Sequence, residues 1–351
     1  MKIATVVGAR PQFIKEAAVA RKLRNAHQEI LIHTGQHYDV NMSEVFFEEL
    51  SIPKPDYNLG ISGGTHAKMT GAMISSIEDV LLREKPDRLL VYGDTNSTLA
   101  GALAAVKLHI PVCHVEAGAR LGTLMNPEEV NRICTDHVSS VLMYCTDSAV
   151  PHLEEEGLLE RSVFVGDPMY DAFLYFAQYA GRRQLDEIHA PKRFYYLTCH
   201  REENCSAENI TAILDASNSL DAPTIYPVHP RNRRLVQELC ERYCFQNVIT
   251  IQPVGYLTSL ALVLGCEKVL TDSGGLQREA FFAEKQCLFL FDHVAWPETM
   301  VGNRNQLAKC DKEDILTKLS MPMLIDKDYQ PFGDGDAASR IIEALSGINF
   351  K

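Results

Sequence analysis

The stretch Arg88-Leu-Leu-Val-Tyr92-Gly93-Asp94-Thr95-Asn96-Ser97-Thr98 decides the fold. Its residues 89–92 are apolar without polar alternation, the mark of a strand buried on both faces. Gly93 and Asp94 break the run, a helical pattern follows over 98–107, and a second apolar run occupies 112–115. Strand, crossover helix and strand make one parallel βαβ unit. The same alternation extends both ways. Further short apolar runs lie at 3–8, 29–33, 141–145, 163–165, 194–197, 224–228, 248–251, 268–270 and 287–291, with helical patterns at 13–24, 43–50, 66–84 and 208–219. Repeated βαβ units predict a doubly wound α/β protein. Eleven strands are many for one open sheet, so the chain is expected to divide. The turn-rich Gly166-Asp-Pro-Met-Tyr-Asp171 marks the boundary, and a second βα series opens at Phe194. The tail from Gly333 reads as a capped helix with an apolar stripe at Ala338, Ile341, Ile342 and Leu345.

A chain of 351 residues buries enough surface to be stable without disulfide or metal. Its formal net charge of −12 makes it a poor partner for nucleic acid or an anionic membrane. The ten cysteines are scattered, with no CxxC, and Cys113, Cys145 and Cys287 sit in apolar runs. That pattern suits free thiols in a reducing compartment. The apolar stretch after Met1 is too short for a signal peptide, and no run reaches transmembrane length, so a cytoplasmic protein is expected.

In a pair of Rossmann-like domains the carboxyl ends of both sheets line one cleft, and ligands bind there. The first strand ends in Gly8-Ala-Arg10-Pro-Gln-Phe-Ile-Lys15, where the glycine suits a tight turn. This is not GxGxxG, and no P-loop occurs in the chain, which removes the main support for a dinucleotide or ATP. Arg10 and Lys15 oppose the dipole of the helix they open, which favours anion binding over two solvated cations. Asp94, Glu116 and one of Glu128/Glu129 fall on one rim. Asp94 alone could cap the next helix. Three acids together point to proton transfer, because clustered carboxylates raise one another's pKa. No His/Cys set has zinc spacing, and Mg²⁺ is the weaker use of the acids.

The second half offers His200-Arg201 after one strand, His229 with Arg231, Arg233 and Arg234 after the next, and Thr271-Asp272-Ser273-Gly274-Gly275-Leu-Gln-Arg-Glu279 after a third. Ser-Gly-Gly opening a helix makes a phosphate seat. His229 and the arginines add charge-assisted contacts, and Glu279 suits the hydroxyls of a ribose. His200 and His229 both end strands that point into the cleft. An acid-rich face opposite a diphosphate seat fits an enzyme acting on a nucleotide-sugar. These residues leave glycosyl transfer and isomerisation both open.

Taken together, Gly8–Lys15, Thr34-Gly-Gln-His37, Tyr92-Gly-Asp-Thr95, His114-Val-Glu-Ala-Gly118, Pro127-Glu-Glu-Val-Asn-Arg132, His200-Arg201, Pro227-Val-His-Pro230, Thr271-Asp-Ser-Gly-Gly275 and Pro331-Phe-Gly-Asp-Gly335 resemble the non-hydrolysing UDP-N-acetylglucosamine 2-epimerase family nearly from end to end. Gly63-Gly-Thr-His66 and Asp94-Thr-Asn-Ser-Thr98 lean toward a branch that includes epimerases of UDP-diacetamido-glucuronate, used for bacterial surface polysaccharides. The resemblance implies a glycosyltransferase-B-like fold and a homodimer. It also implies a final helix returning to the first domain, hence domains 1–168 plus 335–351 and 169–334. It implies a cofactor-free, metal-free mechanism in which UDP leaves C1 as a base takes the C2 proton, then adds back. The catalytic group would be Asp94, Glu116, Glu128 and His200. UDP would be held by Arg10, His229, Ser273, Gly274, Gly275 and Glu279, with Lys15 near the reacting end. Gln36 and His37 match a region that binds a second, activating UDP-sugar in some members.

UDP-GlcNAc and UDP-ManNAc are the default pair. A modified UDP-sugar such as the diacetamido-glucuronate, a hydrolysing epimerase, and a non-catalytic UDP-sugar sensor are the alternatives. The related branch carries an arginine where this chain reads Leu124-Met-Asn-Pro127, which counts against an anionic sugar if that arginine grips its carboxylate. Another departure is Phe291-Asp-His-Val-Ala-Trp296-Pro-Glu298, which lacks a family cation and carboxylate.

Overall fold

Leu89, Leu90 and Val91 are fully buried, and the strand they form is hydrogen-bonded on both sides. The computed structural model describes residues 1–36, 47, 49–294 and 296–347. The helix expected at 43–50 falls largely outside the described residues. The chain divides into two compact units, Met1–Leu174 with Gln330–Lys351, and Tyr175–Tyr329.

The first unit carries β1 (Lys2–Val7), β2 (Gln28–His33), β3 (Tyr57–Asn58), β4 (Arg88–Tyr92), β5 (Val112–Val115), β6 (Val141–Tyr144) and β7 (Ser162–Phe164), in the order β3-β2-β1-β4-β5-β6-β7. The second carries β8 (Tyr195–Thr198), β9 (Thr224–Pro227), β10 (Val248–Ile251), β11 (Lys268–Thr271), β12 (Gln286–Phe289) and β13 (Asn305–Leu307), in the order β10-β9-β8-β11-β12-β13. Every described pairing is parallel. Both sheets show the doubly wound order, which reverses between β1 and β4 in one and between β8 and β11 in the other. Each reversal leaves a crevice beyond the strands' carboxyl ends.

All eleven expected strands form. The two not foreseen are the short β3 and β13. Burial on both faces explains the unbroken apolar runs. In the second unit Tyr195, Leu197, Leu270 and Leu288 join a core with Ile213 and Leu239, whereas Phe194, Tyr196, Val269 and Cys287 join another with Leu262 and Ala280. In the first unit, Val6, Leu89 and Val91 pack against Ile77, Leu81 and Ala105 of helices His66–Glu84 and Asn96–Lys107.

The tail helix, Ala337–Gly347, lies against helix Arg10–Ala26. Asp171 satisfies its first amides, accepting from the N–H groups of Ala337 at 3.0 Å and Ala338 at 2.8 Å. Arg88 donates to the Leu345 carbonyl near its other end. All ten cysteines are free, and among the described residues no helix is long and apolar enough to cross a membrane.

Candidate active site

The first unit gathers its candidate groups at the reversal between β1 and β4. Gly8 is required there by proximity: a Cβ on it would overlap the Ser97 and Thr34 hydroxyls. It stands in the two-residue turn between β1 and helix Arg10–Ala26, with a φ that is not positive, so what excludes a side chain there is space. Gln12, 1% exposed, stitches the two strand ends together. Its Oε1 accepts from the N–H groups of Gly8 (2.8 Å) and Ala9 (3.0 Å), and its Nε2 donates to the Tyr92 carbonyl and the Thr98 hydroxyl, both at 2.9 Å. The sequence reading passed over Gln12, whose one signal was a polar residue on the buried side of a helix.

Arg10 is the half-buried first residue of its helix. Lys15 is not a solvated cation. It is buried, and its Nζ pairs with the Glu116 carboxylate. Glu116 has φ of +74°, a left-handed conformation uncommon for any residue but glycine. The N–H groups of Glu116 and Ala117 both donate to the Met143 carbonyl, at 2.9 and 3.2 Å, and fix this turn. Gly93 closes the group: a Cβ there would stand 3.4 Å from Lys15 Nζ and 3.7 Å from Glu116 Oε1. The ends of β1, β4 and β5 thus converge on one ion pair.

Asp94 does not cap the following helix. Thr95 does, its hydroxyl accepting from the Thr98 N–H at 3.3 Å. The Asp94 carboxylate instead pairs with Arg132, and its carbonyl accepts from Asn131 Nδ2 at 2.9 Å. Arg132 also holds Glu129 at 3.0 Å. Burial works against the Arg132 charge, but Asp94, Glu129 and Glu116 raise its pKa. The two adjacent glutamates separate cleanly. Glu129 is buried and accepts from the N–H groups of Leu121 (2.8 Å) and Gly122 (2.9 Å), a structural duty. Glu128 is exposed in the first turn of helix Pro127–Val138. Gln36 Oε1 accepts from the Ser97 N–H at 3.1 Å and the Ser97 hydroxyl at 2.7 Å, tying it to the helix after Asp94. His37 lies outside the described residues.

The second unit builds its groups at the reversal between β8 and β11. Asp272, fully buried, accepts from the N–H groups of His200 and Arg201, both at 2.8 Å. Its other oxygen lies 2.9 Å from His200 Nδ1. Burial pushes the Asp272 carboxyl up, but His200 and the two backbone N–H groups overcome this and bring it to about 2. The buried carboxylate therefore stands as an ionic partner beside the exposed His200 ring. The motif Thr271-Asp272-Ser273-Gly274-Gly275 does not by itself indicate this role for Asp272. An acid ending an apolar strand, as at Asp94, was the available signal.

The His200 and His229 rings lie 6.0 Å apart. His229 caps the turn Pro230–Asn232, with Nδ1 accepting from the Arg231 N–H at 3.3 Å. Of the three arginines expected beside it, Arg231 donates to the His200 carbonyl at 3.2 Å. The other two turn away: Arg233 binds Gln252 at 2.8 Å and Arg234 makes an exposed pair with Glu238 at 2.7 Å. The Ser273 hydroxyl caps helix Gly274–Phe282, accepting from the Leu276 N–H at 3.3 Å. The amides of Gly274 and Gly275 are first-turn donors that no intrahelical carbonyl reaches, so an anion has a seat there. Glu279 is buried on the same helix. Arg201 donates to the Asp272 carbonyl at 2.7 Å and stacks 4.2 Å over Phe291. A cation therefore stands against the segment that lacks the family's own. Among the described residues no group of three His, Cys, Asp or Glu side chains is arranged to hold a metal.

Two parallel doubly wound sheets, with acids at the reversal of one and an open helix start at the reversal of the other, are the arrangement expected of an α/β protein acting on a nucleotide-sugar. The sequence profile of the UDP-N-acetylglucosamine 2-epimerase family matches residues 21–346, and the chain belongs to that family. It is 46% identical to a Pseudomonas aeruginosa protein named UDP-2,3-diacetamido-2,3-dideoxy-D-glucuronate 2-epimerase, over 99% of this chain and 100% of that one. It is 44% identical to a Methanococcus maripaludis protein named as a UDP-N-acetylglucosamine 2-epimerase homolog, with the same coverage. Its fold matches the crystal structure of Methanocaldococcus jannaschii UDP-GlcNAc 2-epimerase in complex with UDP-GlcNAc and UDP, with a TM-score of 0.90, 38% identity and 99% of both chains covered.

Proposed function

We propose that this chain interconverts the C2 epimers of a UDP-N-acetylhexosamine, with UDP-GlcNAc and UDP-ManNAc as the reference pair. The observation that carries the reading is Glu116, held in a left-handed turn against buried Lys15 and sharing its rim with Asp94. Lys15 stabilises the anionic carboxylate, the form that accepts a proton. Asp94, Glu116 and Glu128 carry the proton to and from C2, with His200 as the fourth catalytic group. As the C2–H bond breaks, the C1–O bond to UDP breaks, giving a glycal-like intermediate. UDP then adds back and the proton returns to the opposite face. Arg10, His229, Ser273, Gly274, Gly275 and Glu279 hold UDP, whose departure needs such electrostatic stabilisation. Gln36 belongs to a regulatory region for a second UDP-sugar. The protein works as a homodimer in the cytoplasm, a setting that suits ten free cysteines.

The test is NMR of the purified protein with UDP-GlcNAc in D₂O. Deuterium at C2 with UDP-ManNAc rising to a plateau is the expected result. Unchanged UDP-GlcNAc sinks the default pair. A second reading, a UDP-diacetamido-glucuronate substrate, is favoured by the 46% identity to the Pseudomonas protein of that name. It predicts C2 exchange on that sugar and none on UDP-GlcNAc.

A further inference from the structure

His114 has no part in the roles above, yet it is fully buried in β5 with both ring nitrogens engaged. Nδ1 lies 2.6 Å from Asp136 Oδ1, and Nε2 lies 2.7 Å from the Gly93 carbonyl oxygen. A carbonyl oxygen only accepts. Asp136 is ionised: burial opposes its charge, but His114, Arg120 and the Gly118 N–H together lower its pKa. Its second oxygen accepts from the Gly118 N–H at 3.0 Å and from Arg120 Nη1 at 2.7 Å. An acceptor on each side requires a ring that donates from both nitrogens.

One bond reaches the Gly93 turn directly, and the other reaches the Gly118 turn through Asp136. Gly93 precedes Asp94 and stands beside the Lys15–Glu116 pair. Gly118 follows Glu116 by two residues and has φ of +78°. A strained turn such as that at Glu116 persists only where its surroundings over-determine it. The strand ladder joins the two turns only at their edge, where the Gly93 N–H donates to the Val115 carbonyl at 2.9 Å.

We propose that His114, with Asp136 behind it, is a positioning residue that clasps the Gly93–Asp94 turn to the Glu116–Gly118 turn and keeps the proton-transfer carboxylates in register. The proposal rests on the reading of Asp94 and Glu116 as proton-transfer groups. A purely structural ion pair makes a different prediction: lower melting temperature, with unchanged turnover in the protein that remains folded.

The test uses the full chain and the variants His114→Gln, which keeps one donor position, and His114→Phe, which keeps none. Turnover at C2 should fall about 100-fold in His114→Phe and less in His114→Gln, with KM changed by less than about threefold. Hydrogen exchange should rise together at the amides of 93–96 and 116–119 and stay unchanged at 273–277. Folded variants that keep wild-type turnover, or a rise confined to one of the two turns, overturn the clasp. Should both variants fail to fold, ¹⁵N NMR of the wild-type imidazoles decides: two protonated ring nitrogens are expected at His114, and one bare nitrogen refutes the proposal. A wild-type protein inert on every UDP-sugar would instead sink the functional reading, while exchange and NMR would still judge the clasp.

Discussion

Glu116 shows how a single side chain's place in the backbone sets its chemistry. Glu116→Gln keeps the left-handed turn and removes the proton acceptor, so C2 exchange should fall by about 10²–10⁴-fold, and the melting temperature should fall too, because buried Lys15 loses its charged partner. Deuterium incorporation against time measures it. Gly8→Ala should act through packing, since its methyl group meets the Ser97 and Thr34 hydroxyls. A loss of about 1–3 kcal/mol in urea unfolding is expected. Asp272 carries a pH signature. Its folded pKa of about 2 lies below an unfolded value near ~3.9, so its stabilisation is present above about pH 4 and disappears as pH falls toward 2. Roughly 2 kcal/mol should be lost across that window, and Asp272→Asn should flatten the acid limb of the melting curve. Acids that end apolar strands were readable from order alone, as at Asp94 and Glu116. Gln12, Asp136 and the ionic role of Asp272 were not, because their partners lie far along the chain, as Tyr92 does from Gln12 and His200 from Asp272.

The elements were legible to the extent that burial wrote them. Strands buried on both faces announce themselves as apolar runs, and all of those were found. β3 is two residues long, and β13 reads Asn305-Gln306-Leu307, so neither edge carries an apolar run. The helix after β4 begins at Asn96 rather than 98 because its cap is Thr95, a hydroxyl competing with the neighbouring Asp94 for the same duty. Ser273 does the equivalent work for helix Gly274–Phe282, where its hydroxyl sits at the mouth of the anion seat. Ser273→Ala should cost about 1 kcal/mol of stability. It should also weaken UDP binding about tenfold, read by calorimetry, as one hydrogen bond to a charged group is lost.

Both units use one plan, a parallel sheet with a single reversal and the working residues placed just past it. Too many strands for one sheet predicts a second, and the expected boundary at the turn residues 166–171 lies a few residues before the division at Leu174 and Tyr175. The proposed roles follow the same division only in part: Asp94, Glu116 and Glu128 lie in the first unit and His229, Ser273 and Glu279 in the second, whereas Arg10 and His200 cross it. UDP alone should therefore stabilise the protein, by about 2.7 kcal/mol at 100 times its Kd. Ser273→Ala should blunt that gain at a fixed UDP concentration, whereas Glu116→Gln should leave it intact. Chemical unfolding with and without UDP distinguishes the two.

The final helix belongs to the first unit, and that has a consequence for how the protein is made. A ribosome delivers residues in order, so the stretch of the second unit emerges complete while the first still lacks a piece. Until 337–347 leave the exit tunnel, Asp171 has no helix start to receive and Arg88 has no Leu345 carbonyl to grip. The flank of helix Arg10–Ala26 also stays uncovered. Helix Arg10–Ala26 is thus covered only by a helix made after the whole second unit, and a nascent chain that stops before it is left with its first unit unfinished.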